Sequence, residues 1–200
     1  ALAAEDLRWF TESDIAIADD PELLALMRES GCREVLIGLE SPSVVGLEGI
    51  ELRRNWKRTR FHDYMDAIER IQSHGIAVNG CFVLGLDGDG PEVFDAVEAF
   101  VHESGQFDVQ VTVMTPFPGT PLYERLRSEG RLLDEAAWER CSLFDVNFRP
   151  RHMSAETLQR GLSELGRRLY TDRERRARRD RFHERRRNYL RRQRAARLSA

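Results

Sequence analysis

The chain has little cysteine, almost no lysine and no long apolar run. Three cysteines, Cys32, Cys81 and Cys141, stand 49 and 60 residues apart. No C-x-x-C pair exists and the count is odd, which excludes a disulfide framework or a zinc ribbon. The expectation is free, buried thiols in a reducing cytoplasm. No stretch approaches the ~20 apolar residues of a membrane span. The opening ALAAEDLRWF carries acids early and has no basic segment followed by an apolar one, so it does not read as a signal peptide. It also lacks an initiating Met. The five histidines show no ligand spacing, and no metal site is expected.

Charge is present in quantity but unevenly placed. The net charge is −3 over 200 residues. Residues 1–148 carry −15 and residues 149–200 carry +12. All but one of the 31 basic residues are arginine, the exception being Lys57. An acidic body and a basic appendage follow from this split.

Four short apolar runs alternate with helical patterns: 14–17, 35–39, 76–86 and 109–115. Pro21 and Gly31 bracket one helix, with Tyr64, Ile68 and Ile71 at helical spacing before Gly75 in a second. Pro91 opens a third, with Phe94, Val97, Phe100 and Val101 on one face. Strand–helix alternation predicts βαβ units and a parallel sheet, with apolar strands buried on both faces. A complete eight-unit barrel takes ~250 residues, so the expectation is about four β/α units, 1–120, of a partial barrel. A helical extension over 121–171 begins after Thr115–Pro121, with Ser154 capping its second helix and Leu158, Leu162, Leu165 and Leu169 on one face. The first strand would expose an unpaired edge, which points to missing strands upstream of Ala1. The tail, 172–200, holds 13 Arg and 4 acids. A solvated, partly helical terminus is the favoured reading, over one that binds nucleic acid. Phe182, Tyr189 and Leu190 could touch a partner helix.

Candidate site residues fall where strands end, as parallel β/α folds require. Gly38-Leu39-Glu40-Ser41 ends the second run and Gly85-Leu86-Asp87-Gly88-Asp89 the third. Thr115-Pro116-Phe117-Pro118-Gly119-Thr120 ends the fourth. A carboxylate at a strand end accepts hydrogen bonds from a ribose diol or an amino group, and a glycine turn lets a ligand near the backbone. The plain alternatives are a turn-capping Glu40, turn glycines, solvated or helix-capping Asp87 and Asp89, and a packed core thiol at Cys81. No nucleophilic triad or general acid/base pair is evident, so catalytic residues stay unassigned.

GLESPS (38–43), NGCFVLGLDGD (79–89) and MTPFPGTPLYERLRSEGRLL (114–133), in that order, resemble the later half of a radical S-adenosylmethionine domain. They are most similar to the group that usually carries a cobalamin-binding domain, and residues 9–32 resemble its third strand and helix. The resemblance covers 9 to about 170 and implies a partial (β/α)6 TIM-like barrel. In such enzymes a [4Fe-4S] cluster on a C-x-x-x-C-x-x-C loop cleaves S-adenosylmethionine to a 5′-deoxyadenosyl radical. It implies that Glu40 and Ser41 approach the ribose or methionine of the cofactor. It places Phe82, Val83 and Gly85 along the adenine, and Thr115 and Pro116 near adenine or substrate. Asp87 replaces the Pro of the usual Gly-Leu-Pro-Gly turn and Asp89 stands where many relatives have Glu. The cluster motif and the Gly-Gly-Glu segment are absent. The expected chain is therefore the later part of a methylating or rearranging radical enzyme acting on a lipid or small metabolite, with cluster ligands upstream in the same polypeptide. The need for cobalamin stays open. The rival reading is a non-catalytic β/α binding module with a basic nucleic-acid-binding tail.

Overall fold

In the computed structural model, residues 6–48 and 56–198 are described. Part of the arginine-rich linker after the second apolar run, 49–55, lies outside them. Four parallel strands, β1 (Trp9–Ser13), β2 (Cys32–Glu40), β3 (Ala77–Leu84) and β4 (Asp108–Val113), pair in sequential order. Helices α1 (Pro21–Glu29), α2 (Trp56–Arg60), α3 (Tyr64–Ser73) and α4 (Val93–Ser104) join them. The α/β class and the parallel sheet are as expected, although four strands do not by themselves make a barrel.

Helix boundaries follow local chemistry. Pro21 occupies the first turn of α1 and the Asp20 carboxylate accepts from the Leu23 N–H. Gly31, Gly75 and Gly105 follow the helix ends with positive φ. The first strand is not where the apolar run suggested. Residues 15–19 form a 3-10 turn, because Asp14 accepts from the Ala16 N–H and starts it. The strand is the preceding WFTES.

The outer face of the sheet carries the core. Val35, Ile37, Leu39, Val78, Phe82, Leu84, Val109, Val111 and Val113 are buried there together with Leu24, Ile68, Ile71, Val97 and Phe100. The other face is only half-covered: burial alternates along β2 and β3. Burial on both faces is thus corrected, since helices cover a single face among the described residues. Cys32 is buried, but Cys81 and Cys141 are half-exposed, so the expectation of buried thiols holds for one of three.

The extension contains α5 (Pro121–Ser128) and α6 (Ala155–Leu169). Leu126, Phe148, Leu158, Leu165 and Leu169 join the same core as the strands. The arginine-rich segment is α7 (Asp172–Leu198), docked across the helix ends at the base of the sheet. Phe182 is buried edge-on to Phe107, 5.2 Å between centroids. Tyr189 packs its ring at a tilt against His74, 5.1 Å between centroids, with its hydroxyl 3.3 Å from His74 Nε2. Arg185 donates to the carbonyls of Ser104 and Gly105, and Arg181 to that of His102. These arginines satisfy the orphan carbonyls at the end of α4. Arg178, 3% exposed, donates to the Leu169 carbonyl and pairs with Asp108. The segment is therefore helical and partly docked, not a solvated terminus. No helix among the described residues is long and apolar enough to cross a membrane.

Docking makes a test. Phe182→Ala is expected to lower unfolding stability by about 3 kcal/mol, read as a shift of the urea midpoint. Arg187→Ala, exposed on α7, is expected to cost less than about 0.5 kcal/mol. Equal, negligible effects would mean that α7 does not pack in solution.

Candidate functional site

The half-covered face is polar and has a defined composition. Strand register sets Glu12 beside Leu36, Leu36 beside Asn79, Gly38 beside Cys81, and Cys81 beside Gln110. Neighbours in register point to the same side of a sheet. At its C-terminal end β2 has a bulge between Gly38 and Glu40. Glu40 there adopts φ +67°, a left-handed conformation costly for a residue with a Cβ. The bulge turns its carboxylate back over Gly38, where a Cβ would lie 2.5 Å from Glu40 Oε1. Lys57 Nζ donates to the same oxygen at 2.5 Å, with both side chains mostly shielded. The single lysine of the chain thus sits on a carboxylate whose backbone is strained. Its rarity was the available signal, yet nothing in the spacing linked it to Glu40.

Cys81 lies on this face rather than in the packed core. Burial, then the negative charge of Glu40, pushes its thiol up to about 11, against the opposing effect of Lys57 and with a smaller push from Glu12. It stays protonated at neutral pH, a poor form for a metal ligand or nucleophile. No group of three or more His, Cys, Asp or Glu able to hold a metal occurs among the described residues.

The other candidate residues divide by which way they face. Val83 is half-exposed and in register with Thr112 on the polar face. Phe82 points the opposite way, fully buried with its ring edge-on to Phe100 at 5.4 Å. Only its backbone reaches the polar face. Ser41 is fully buried, and its hydroxyl accepts from the Ser43 N–H, shaping the loop after β2. Thr115 is buried and donates to the Val113 carbonyl, with Pro116 buried beside it. Gly85, at φ +84°, leaves room for protein rather than ligand. A Cβ there would lie 2.6 Å from Leu158 and 2.8 Å from Phe148.

The two acids after β3 are neither solvated nor helix caps. Asp87 pairs with Arg125, Arg131 and Arg151 at 2.5, 2.9 and 3.3 Å. Burial works against its ionisation, but the hydrogen bonds from Arg131 and Arg125 outweigh it and hold the carboxyl below its ordinary range. This cluster ties the strand-end loop to the extension. Asp89, 3% exposed, accepts from the N–H groups of Gly85 and Leu86, each at 3.0 Å. It braces the turn against the loop after β2, since a Cβ on Gly46 would lie 3.1 Å from its Oδ1.

Residues 120–199 match a family model described as a domain of unknown function (DUF4070). The chain is 28% identical over 170 residues to the bacteriochlorophyllide d C-12(1)-methyltransferase of Chlorobaculum tepidum, covering 84% of this chain and 36% of that protein. It is 32% identical over 129 residues to the hopanoid C-2 methylase of Rhodopseudomonas palustris, covering 64% and 24%. The anaerobic magnesium-protoporphyrin IX monomethyl ester cyclase of Cereibacter sphaeroides is 21% identical over 167 residues, covering 83% and 26%. The chain thus spans about a quarter to a third of the length of these relatives. These similarities bear out the resemblance to the radical S-adenosylmethionine group that usually carries a cobalamin-binding domain.

Asp89 gives this loop a pH dependence. Burial raises its carboxyl to about 6, against the lowering effect of the Leu86 and Gly85 N–H groups. The fold favours the neutral acid, so this contribution to stability is complete below about pH 4 and disappears as pH rises through 6. It amounts to about 3 kcal/mol. A carboxyl-carbon titration should show Asp89 with a midpoint near 6, and Asp89→Asn should flatten the urea midpoint between pH 4 and 7. A midpoint near 4 would overturn this.

Proposed function

We propose that these 200 residues are the later part of a radical S-adenosylmethionine enzyme that methylates or cyclises a large, mostly apolar metabolite. The polar face of the sheet forms part of the S-adenosylmethionine site. The observation that carries this reading is Glu40, strained at a bulge on the C-terminal edge of β2, beside Lys57. Strain of this kind clusters at binding sites.

The donor set fits the cofactor in part. Glu40 offers acceptors for a ribose diol or an ammonium group, Lys57 a donor for a carboxylate, and Val83 an apolar edge for adenine beside the Phe82 peptide. Ser41, Gly85, Thr115 and Pro116 support these residues from behind, through the turns they hold. When bound with a [4Fe-4S] cluster, S-adenosylmethionine supplies a one-electron route to removal of a substrate hydrogen. The cluster ligands come from outside these 200 residues, because the three cysteines sit in β2, in β3 and in the extension. The extension shapes the substrate side: Leu143 accepts from the Val113 N–H at the end of β4, with exposed Phe144 and Phe117 nearby in sequence to these strand-end residues. Relatives named for bacteriochlorophyllide, hopanoid and magnesium-protoporphyrin point to a polycyclic substrate.

Two measurements test this. In the full-length, cluster-loaded protein, Glu40→Ala is expected to weaken S-adenosylmethionine binding by about tenfold or more in anaerobic equilibrium dialysis, the size of one charged hydrogen bond. Unchanged affinity would remove Glu40 from the site. The 200-residue chain treated alone with iron and sulfide is expected to develop no charge-transfer absorbance. A stoichiometric four-iron cluster would defeat the assignment of its ligands elsewhere.

A further inference from the structure

At the opposite end of the sheet, where the strands begin, α7 closes over an open cleft of about 600 Å³. Five arginines line it, Arg8, Arg28, Arg33, Arg179 and Arg186, against one carboxylate, Glu34. Glu34 is engaged elsewhere, its Oε1 accepting from the Asn79 amide. Several arginines elsewhere are matched to acids: Arg60 and Arg70 to Asp19, Arg125, Arg131 and Arg151 to Asp87, Arg178 to Asp108. In the cleft none of the five has an acidic partner among the described residues.

Two of them are held together by the fold. Gly75 has φ +85°, and a Cβ there would lie 3.0 Å from Nε of Arg186 and 3.3 Å from Nε of Arg28. The two Nε atoms are therefore within about 6 Å, where like charges repel in the absence of an anion. Arg28 is anchored by donating to the Cys32 carbonyl. Arg179 lies over the Phe107 ring, 5.9 Å from its centroid. Rotamer freedom is thus already reduced on both sides of the cleft, as a preformed site requires.

We propose that this cleft binds a small phosphorylated molecule, with a diphosphate or two phosphates bridging Arg28 and Arg186 and reaching Arg33. Guanidinium forks match phosphate oxygens in pairs, and several converging arginines suit a multiply charged anion better than a single carboxylate. The cleft lies between α7 and the strand starts, a bounded surface that suits a compact ligand rather than a long polyanion lying on the outer face of the helix. The site is independent of the cofactor reading, because it lies at the other end of the strands.

Inorganic pyrophosphate is the probe, titrated calorimetrically into the intact chain at fixed ionic strength. One saturable site is expected, and Arg186→Gln and Arg28→Gln should each weaken it by about tenfold. Arg33→Gln, at an exposed side chain with no hydrogen bond or ion pair among the described residues, should weaken it by about threefold or more without moving the urea midpoint, a partial loss of one phosphate contact. Arg187→Gln, exposed on the outer side of α7, should leave it unchanged. No saturable heat, or an equal loss with Arg187→Gln, overturns the site. So does binding of a short single-stranded RNA that pyrophosphate fails to displace, since that would put the anion surface on the outside of α7.

Discussion

A parallel sheet has to be covered on both faces, and this one meets the requirement on one side only with helices. Everything else in the molecule is arranged around that asymmetry. The outer face is aliphatic and dry, packed by α1, α3, α4 and α6. The inner face carries Glu12, Asn79, Cys81 and Gln110, side chains that bear partial exposure without loss. A polar inner wall with a strained carboxylate at its upper edge is a surface prepared for a hydrated, hydrogen-bonding ligand, and unsuited to a second layer of apolar helices.

Arginine replaces lysine throughout, and the structure gives the reason. Guanidiniums terminate helices by reaching main-chain carbonyls, fasten α7 to the base, and gather three to one acid at Asp87. A planar fork with several donors serves two acceptors at once, which an ammonium on a flexible stem does less well. The sole lysine stands where a compact point charge meets a single carboxylate oxygen of Glu40.

The strand–helix order, the helix limits at Pro21, Gly31, Gly75 and Ser154, and the positions of three strands were legible in the sequence, because each is set by short-range chemistry. The first strand was not, since Asp14 converts an apolar run into a turn and leaves the less apolar WFTES to pair. The docking of α7 was not legible either. Among the described residues its aromatic contacts come from Phe182 and Tyr189, and its other attachments are largely arginines reaching carbonyls, which leave no hydrophobic period. At the site, the strand-end positions could be read but not the direction of the side chains. Phe82 and Val83 are neighbours in the chain and face opposite layers. The bulge at the end of β2 shifts Glu40 into register with Phe82, and the pairing of Glu40 with Lys57 spans 17 residues without any local signature.

Gly85 has a wider consequence. The space a side chain would occupy there is filled by Phe148 and Leu158, residues more than sixty positions further along the chain. The loop at the mouth of the sheet and the extension behind it were therefore shaped as a single casting. Recombination between relatives that exchanged the extension alone would bring a ring of a different size against a glycine that cannot yield. Lineages of this fold are thus expected to inherit loop and extension as one block, and to vary more freely at Trp138 and Phe144, where the chain faces outward.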